Sequence, residues 1–168
     1  MPIEKKGSGK IRVCIDFRDL SKATPKDKYP MPIADMPINE ASGHRVMSFL
    51  DGNASYNQIF MAEGHTSKMT FVCPGFVGLF ESVVITFGLK NTSATYQRAT
   101  NLIFHDLLGV ILEVYIDDIV IKSPDLSHHL VDLKLALERM RQYGLKMSPL
   151  KCAFVVSARK FLGFIIHE

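Results

Sequence analysis

Two adjacent carboxylates inside a strand-forming run constrain this chain more than any other feature. Residues 111–115 and 119–121 are mostly apolar and contain several β-branched side chains, and Asp117 and Asp118 lie between them. Such runs favour β-strands, and an acidic pair between two of them is typical of a tight turn. The pattern therefore predicts an antiparallel hairpin with both carboxylates at its tip.

A second apolar run, residues 46–50, ends at another acid, Asp51. If the two strands are neighbours in one sheet, Asp51 converges with Asp117 and Asp118 at one edge of that sheet. Oxygen ligands of this kind suit Mg²⁺ or Mn²⁺ rather than zinc. From spacing alone the alternative is an ordinary acidic turn without a metal, and both interpretations stay open at this point.

The remaining pattern mixes strands and helices without a regular β-α-β order. Further strands are predicted at residues 11–17, 69–73 and 79–85 and in short pieces of 145–166, of which 161–166 is the strongest. Helices are predicted over 92–108 and 126–140, the second capped by Ser123 and Pro124. Residues 24–38 hold four of the eight prolines and predict an extended segment. The expected class is α+β, with helices covering one face of a mostly antiparallel sheet.

Cysteine and histidine suggest no site of their own. Cys14, Cys73 and Cys152 lack a CxxC spacing, which favours reduced thiols over a disulfide framework or a zinc site. The adjacent pair His128 and His129 lies in the amphipathic pattern of the second helix and is interpreted as a solvent-exposed face rather than a metal site.

The composition is that of an ordinary globular domain. With 168 residues, 47% of them apolar, the chain is long enough for one domain with its own core. No apolar run approaches the roughly 18 residues that a membrane span needs, and the N-terminus lacks the apolar core of a signal peptide. We therefore expect an intracellular protein, in a cytoplasmic particle or the nucleus, that is not secreted and has no membrane partner.

Positive charge is concentrated near the N-terminus. Residues 1–30 carry eight basic and four acidic side chains, whereas the whole chain has a net charge of +3. Such a field attracts phosphate-bearing partners, but a solvated lysine-rich surface gives the same pattern. Charge alone does not separate these two interpretations.

Ordered motifs along almost the whole chain resemble one family, the reverse transcriptases. Residues 114–119, Val-Tyr-Ile-Asp-Asp-Ile, resemble the YxDD box of that family. In chain order the other matching segments are residues 12–18, 29–32, 49–51 with 56–59, 87–91, 94–97, 144–146, 151–152 and 161–164. The style is that of a gypsy-type long-terminal-repeat retrotransposon polyprotein, most like those of plants.

This resemblance implies the palm of a polymerase with part of its fingers. Residues of about 1–45 and 69–90 would be fingers-like, and residues 46–68 and 91–168 palm-like. The matching segments include no thumb and no RNase H domain, which the resemblance implies as further parts of a polyprotein and as partners of this chain.

The resemblance also implies a catalytic centre. Asp51, Asp117 and Asp118 match the acids that hold two Mg²⁺ ions, with Mn²⁺ as a possible substitute. Lys151 matches a lysine that protonates the leaving pyrophosphate as a general acid. Without the family resemblance, Lys151 would be interpreted as an ordinary surface lysine.

Five residues match positions that bind the incoming nucleotide. Arg12 matches an arginine whose fork clamps the triphosphate, and Lys10 would add charge beside it. Tyr56 matches the aromatic residue under the sugar that excludes a 2′-hydroxyl, although its pattern alone suggests a core aromatic. Phe87 and Gly88 match a segment that lines the nucleotide pocket.

The implied function is template-directed DNA synthesis from RNA or DNA by two-metal nucleotidyl transfer. Its partners would be a template with a primer and deoxynucleoside triphosphates. Leu162 and Gly163 match the hairpin that grips the primer end, where glycine permits close approach of the backbone. Departures from the family pattern, such as Ser55 and Thr86, leave an alternative: a catalytically inactive remnant, at most a nucleic-acid-binding module.

Overall fold

The computed structural model describes residues 2–4, 11–13, 15–72, 75 and 78–167. These residues form two compact units. Unit 1 consists of Met1–Lys28 and Tyr56–Thr92, and unit 2 consists of Tyr29–Ser55 and Ser93–Glu168. The division differs from the predicted bounds of fingers and palm, because residues 29–45 belong to unit 2 and residues 56–68 belong to unit 1.

The secondary structure of the described residues is mixed, as the sequence predicts. In chain order the strands are β1 (Pro2–Glu4), β2 (Ile11–Val13), β3 (Val46–Asp51), β4 (Thr70–Val72), β5 (Leu79–Glu81), β6 (Leu112–Tyr115), β7 (Asp118–Ser123), β8 (Ala153–Val156), β9 (Ala158–Phe161) and β10 (Phe164–His167). The helices are α1 (Arg18–Ala23), α2 (Asp35–Ala41), α3 (Glu63–Thr66), α4 (Thr92–Ile103) and α5 (Leu126–Gln142). Single turns of 3₁₀ helix cover Ser55–Gln58, Ser67–Met69 and Pro149–Lys151. Among these described helices, none is long and apolar enough to cross a bilayer.

A four-stranded antiparallel sheet organises unit 2, with the strand order β6-β7-β3-β8. Strand β3 pairs with β7 along its full length, from Val46 opposite Ser123 to Asp51 opposite Asp118. Strands β6 and β7 form the hairpin that the sequence predicts, and β9 pairs with β10 as a second hairpin. The end of β3 therefore lies beside the start of β7.

Both faces of this sheet are covered. Because successive side chains of a strand point to opposite faces, β3 and β7 contribute to two separate clusters. The first contains Leu50, Phe104, Leu107, Leu112, Val114, Ile119, Ile121, Ala136 and Met140, which come from the sheet, α4 with the turn that follows it, and α5. The second contains Ala41, Met47, Phe49, Val120, Phe161 and Ile166. Helices α4 and α5 thus cover one face, and α2 with the β9–β10 hairpin covers the other.

Strand pairs and short helices make up unit 1. Strand β1 is antiparallel to β2, and β4 is antiparallel to β5. The predicted strands at 69–73 and 79–85 are therefore present but shorter. Cys14 and Cys73 lie outside the described residues, so the prediction about their thiols stays open, whereas Cys152 is a free, half-buried thiol.

Two helix boundaries differ from the prediction. Helix α4 ends at Ile103 instead of residue 108, because the N–H groups of Leu107 and Leu108 both bond the carbonyl of Phe104 in a tight turn, at 2.8 Å each. Helix α5 is capped by Asp125, whose carboxylate accepts the N–H of His128 at 3.0 Å, while Ser123 belongs to β7.

Prolines and glycines account for two further differences. The segment expected to be extended contains α2, in which Pro37 is the third residue. The first turn of a helix has no use for the N–H that proline lacks, so Pro37 is compatible with it. Residues 161–166 do not form one strand, because Leu162 and Gly163, with φ angles of 49° and 96°, turn the chain between β9 and β10.

A buried ion cluster joins α2 to the sheet. The side chain of Lys122 is 3% exposed, and its ammonium lies 2.9 Å from Glu113 Oε1 and 3.4 Å from Glu40 Oε2. It also donates a hydrogen bond to the carbonyl of Glu40 at 3.0 Å. Buried charges require such partners, so the cluster fixes α2 against β6 and β7.

His129 is fully buried, so its interpretation as a solvent-exposed residue is wrong. Ser123 donates its hydroxyl to Asp132 at 2.6 Å and so accepts from His129 Nδ1 at 3.0 Å. His129 Nε2 then accepts from the hydroxyl of Ser48 at 2.7 Å. Burial lowers the pKa of His129, which keeps the ring neutral, as this directed chain requires.

Candidate active site

The three predicted catalytic acids meet at one end of the sheet of unit 2. Asp51 is the last residue of β3 and stands directly opposite Asp118, the first residue of β7. Asp117 lies in the turn before β7, and its carbonyl accepts the N–H of Gly52 at 2.9 Å. Antiparallel pairing therefore brings together carboxylates that are far apart in the sequence.

Mutual repulsion is built into this arrangement. Burial, followed by the negative charges of Asp117 and Asp51, raises the pKa of Asp118 to about 6. Like charges opposite one another on paired strands destabilise a sheet. The end of the sheet thus holds more negative charge than folding favours, which is the expected property of a cation-binding site.

Lys151 supplies positive charge to this cluster. Its ammonium donates to both carboxylate oxygens of Asp51, at 2.8 and 3.0 Å. The hydrogen bond with Asp51 raises the pKa of Lys151, and the charges of Asp51, Asp117 and Asp118 add to that effect. Lys151 is therefore a protonated member of the acidic cluster, although more than half of its side chain is exposed.

The segment that carries Lys151 is bonded to the end of β3. Ser148 donates its N–H to the carbonyl of Asp51 at 2.8 Å, and Asn53 donates to the carbonyl of Lys146 at 3.0 Å. The following 3₁₀ turn ends at Lys151. These backbone bonds explain how a lysine remote in sequence reaches Asp51.

The donor set fits a hard divalent cation. Three converging carboxylates offer the oxygen ligands that Mg²⁺ and Mn²⁺ prefer. Burial, with the negative charges of Asp117 and Asp51, raises the pKa of Asp118, and such an ion would neutralise that charge. Within the described residues, however, no three His, Cys, Asp or Glu side chains stand close enough together to hold an ion as they are. Lys151 donates to both oxygens of Asp51, so a cation bound by Asp51 would compete with this ion pair.

Gln97 fixes the turn that bears Asp117, a role that sequence reasoning missed. Ile116 has a φ of 56°, which is unusual for a β-branched residue. The side chain of Gln97, 1% exposed, accepts the N–H of Ile116 at 2.6 Å and donates to the carbonyl of Val114 at 3.2 Å. The sequence signal available for Gln97 was its place at the end of the matching segment 94–97, which precedes β6 and β7 in the chain.

Two small residues follow Asp51 in a tight space. A side chain at Gly52 would collide with the hydroxyl of Ser55 and lie 3.1 Å from that of Tyr96. Ser55 is 4% exposed, and its hydroxyl has no hydrogen-bond partner among the residues that the structure describes. The chain beyond Asp51 therefore depends on glycine at residue 52 and carries an unsatisfied polar group at residue 55.

A pocket of about 580 Å³ opens beside the acids. Asp51 and Asp118 line one part of it, and Lys151 and Arg159 contribute positive charge. The predicted primer-binding residues, Leu162 and Gly163, line the same pocket from the turn of the second hairpin. Both residues of that turn have positive φ, the geometry of a tight hairpin turn, which exposes backbone to the pocket.

The predicted nucleotide-binding residues belong to unit 1. The rings of Tyr56 and Phe87 meet edge to face, with centroids 4.7 Å apart. Gly88 has a φ of 96°, which favours glycine. Arg12 lies in β2, but its side chain, like the whole of Lys10, is outside the described part of the chain.

Comparison with known families then decides what this assembly of motifs is. The family described as reverse transcriptase (RNA-dependent DNA polymerase) matches residues 3–166.

The chain belongs to the reverse transcriptase family.

Curated relatives of this reverse transcriptase chain are transposon polyproteins. It is 35% identical over 160 residues to the retrovirus-related Pol polyprotein from transposon 297 of Drosophila melanogaster, covering 95% of this chain and 15% of the relative. It is 32% identical over 171 residues to the corresponding polyprotein from transposon gypsy of the same species, covering 99% and 16%. The chain therefore spans about a sixth of the length of these relatives, and the gypsy-type resemblance is confirmed.

Solved structures confirm the fold. The foamy viral protease-reverse transcriptase in complex with double-stranded DNA aligns with a TM-score of 0.88 at 21% identity, covering 99% of this chain and 28% of that one. The same enzyme in complex with an RNA/DNA hybrid aligns with a TM-score of 0.84 at 20% identity, covering 99% and 22%. The predicted α+β architecture of palm and fingers is thus correct.

Proposed function

We propose that this chain carries the nucleotidyl-transfer centre of an RNA-directed DNA polymerase encoded by a retrotransposon. The observation that carries the proposal is the pairing of Asp51 with Asp118 at the end of β3 and β7, with Asp117 in the adjoining turn. Membership of the reverse transcriptase family supports it. In this proposal unit 2 serves as the palm and unit 1 as the fingers.

Asp51, Asp117 and Asp118 would hold the divalent cations. When bound, Mg²⁺ or Mn²⁺ lowers the pKa of the primer 3′-hydroxyl and neutralises charge on the triphosphate. The chain's contribution is to fix two of the ligands, Asp51 and Asp118, on paired strands, with Asp117 in the tight turn between β6 and β7. That placement matters because transfer of this kind depends mainly on positioning and charge neutralisation.

Lys151 acts as the general acid in this proposal. The acidic cluster keeps its ammonium protonated at neutral pH, so a proton is available at Nζ for the leaving pyrophosphate. Lys151 must leave Asp51 when the site is loaded, and the pocket beside it provides space for that movement. The same lysine then serves as counter-ion before the reaction and as proton donor during it.

Primer and nucleotide would be bound by backbone and aromatic groups. The hairpin turn at Leu162 and Gly163 presents main chain to the pocket and would contact the primer end. Tyr56, held edge to face against Phe87, would exclude a 2′-hydroxyl. Arg12 and Lys10 would bind the triphosphate. Gly88, with its positive φ, would allow the backbone that lines the nucleotide pocket to turn.

The proposed partners are a primed RNA or DNA template and deoxynucleoside triphosphates. The foamy viral enzyme, which shares the fold, forms solved complexes with an RNA/DNA hybrid and with double-stranded DNA. Because this chain spans about a sixth of its transposon relatives, we expect thumb and RNase H domains of a longer polyprotein to complete nucleic-acid binding inside the cell.

Primer extension with Mg²⁺ tests this function. The wild-type chain should add templated nucleotides to a primed RNA, and Asp117→Asn should abolish addition, since it removes one ligand with little change of shape. Asp19→Asn, an exposed change in α1, is the matched control and should extend normally. Equal incorporation by the wild-type and Asp117→Asn chains would refute the proposal.

A catalytically inactive, nucleic-acid-binding module is the second candidate. Two observations favour it: Lys151 contacts both oxygens of Asp51, and no three His, Cys, Asp or Glu side chains among the described residues stand close enough together to hold an ion. This candidate predicts salt-dependent binding of a primed template without incorporation. Templated synthesis by the chain would exclude it.

A further inference from the structure

Arg159 makes a contact to which the proposed mechanism assigns no role. It lies in β9, and its Nη2 donates a hydrogen bond of 2.6 Å to the backbone carbonyl of Lys151. Arg159 is half-buried and lines the same pocket as Asp51, Asp118 and Lys151. A residue of the second hairpin thus holds the peptide that carries the candidate general acid.

The turn around Lys151 is also held at its start, where Ser148 donates its N–H to the carbonyl of Asp51, and by the ion pair between Lys151 and Asp51. Leu150, its neighbour, is fully exposed. The local bonds are those of the turn itself, from the N–H of Lys151 to the carbonyl of Ser148 at 3.0 Å and from that of Cys152 to Pro149 at 3.3 Å. A charge-assisted hydrogen bond from an arginine is stronger than these neutral ones, so its loss should loosen the turn.

We propose that Arg159 is a positioning residue for nucleotidyl transfer: by holding the carbonyl of Lys151, it keeps the Lys151 ammonium directed into the pocket, where it pairs with Asp51 before the site is loaded. The inference rests on the proposed function. The contact couples the hairpin that carries Leu162 and Gly163 to the general acid, so primer contact and proton donation share one support.

Direct binding of a substrate phosphate is the competing role for Arg159. A guanidinium has five N–H donors, and the bond to Lys151 uses one of them. If Arg159 bound phosphate, its removal would weaken affinity for nucleotide or primer. If it acts through Lys151, its removal should lower the rate of the chemical step and leave affinity unchanged.

The first experiment observes Lys151 without metal or substrate. In the chelator-treated 168-residue chain at one fixed pH, the side-chain ammonium of Lys151 is observed by ¹⁵N NMR, assigned with Lys151→Met. Ion pairing with Asp51 should make its signal detectable. Arg159→Met should reduce that signal several-fold, and Arg159→Lys should retain part of it. Arg141→Met, an exposed arginine of α5, should leave it unchanged. An unaltered signal in Arg159→Met would overturn the proposal.

The second experiment is a double-mutant cycle on single-nucleotide incorporation. Arg159→Met should lower the maximal single-turnover rate about tenfold and change the apparent nucleotide affinity less than about twofold. In a Lys151→Met chain the same change should have no further effect. Additive effects, or a loss confined to affinity, would overturn the positioning role. Equal incorporation by wild-type and Asp117→Asn chains would instead refute the proposed function, so the two failures are distinguishable.

Discussion

Individual residues at the site reduce the stability of the fold. Asp118 faces Asp51 across paired strands, with its pKa raised to about 6. Ser55, four residues after Asp51, buries a hydroxyl that finds no partner in the described part of the chain. Both features are unfavourable for folding, so stability measurements on single substitutions can test them directly.

Asp118→Asn should stabilise the metal-free chain at pH 7. The folded-state pKa of about 6 exceeds the unfolded value of about 3.9, so the folded state binds protons more tightly. The cost of the ionised carboxylate is therefore fully present above pH 6 and vanishes as the pH falls towards 4. Urea unfolding with chelator should show an advantage for Asp118→Asn at pH 7 that disappears near pH 4. If Asp118→Asn were less stable than the wild-type chain at pH 7, burial and repulsion by Asp117 and Asp51 would not be destabilising the ionised Asp118.

Ser55→Ala should raise the free energy of unfolding by about 1 kcal/mol, because it removes a buried hydroxyl that makes no hydrogen bond to any described residue. Ser48→Ala is the matched control. Ser48 is equally buried, but its hydroxyl bonds His129 and the N–H of Val155. The control should lose about 1–3 kcal/mol. Equal effects of the two substitutions, measured by urea unfolding, would show that Ser55 is also bonded.

At the scale of elements, polar side chains from neighbouring segments hold the parts of the site in place. Gln97 of α4 fixes the β6–β7 turn, and Arg159 of β9 holds the 3₁₀ turn at Lys151. Lys122 of β7 holds α2. Each contact joins segments that apolar packing alone would leave free to shift.

Gln97→Met should disturb the turn at Asp117 more than the fold. The substitution keeps the length of the side chain but leaves the N–H of Ile116 unpaired, at a cost of about 1–3 kcal/mol. The loss of primer-extension activity should be larger than the loss of stability measured by thermal unfolding would explain, because Asp117 directly follows Ile116 in the turn. Gln142→Met, at the exposed end of α5, should change neither measurement. Full activity of the Gln97 variant would argue against a role in positioning Asp117.

Lys122→Met should cost about 3–5 kcal/mol, since it leaves Glu113 buried without its cation. The double substitution Lys122→Met with Glu113→Leu should recover much of this loss, because it removes both charges of the Lys122–Glu113 pair together. Chemical unfolding of the three variants measures the difference. If the double variant were as unstable as Lys122→Met, packing rather than charge would be the cause.

At the scale of the whole molecule, the basic N-terminal region should govern binding to nucleic acid. Replacing Lys5, Lys6 and Lys10 with Gln removes three charges from residues 1–30. If all three contact phosphates, the slope of log Kd against log salt should shrink by about 2–3. Lys134→Gln with Arg141→Gln, on α5, should leave the slope unchanged. Fluorescence anisotropy with a primed template measures it. An unchanged slope in the triple variant would indicate a solvated lysine-rich surface.

Strong periodicity made much of unit 2 predictable. Strand β3, the acidic hairpin and α5 follow from apolar alternation and spacing. Other features depend on tertiary context: Pro37 fits α2 because of its place in the first turn. The burial of His129 depends on the hydroxyls of Ser48 and Ser123, which no local pattern reveals.

The convergence of the three acids could be predicted only on the condition that the strands carrying them are neighbours in one sheet. Spacing indicated a hairpin at Asp117 and a strand ending at Asp51, but whether those strands pair is a property of the sheet. The family resemblance added the roles of Lys151, Leu162 and Gly163. The contacts of Gln97 and Arg159 were not predictable, since each joins residues that share no pattern.

The pairing of β3 with β7 also decides how this chain can fail. A slip of one residue between these strands would turn every side chain of one strand to the other face, and Asp51 would no longer oppose Asp118. Partial misfolding should therefore give a mixture of catalytically active molecules with the correct register and inactive molecules with the shifted one. In a partly misfolded preparation, the amplitude of the initial burst of nucleotide incorporation should fall. The turnover rate of each correctly folded molecule should stay constant.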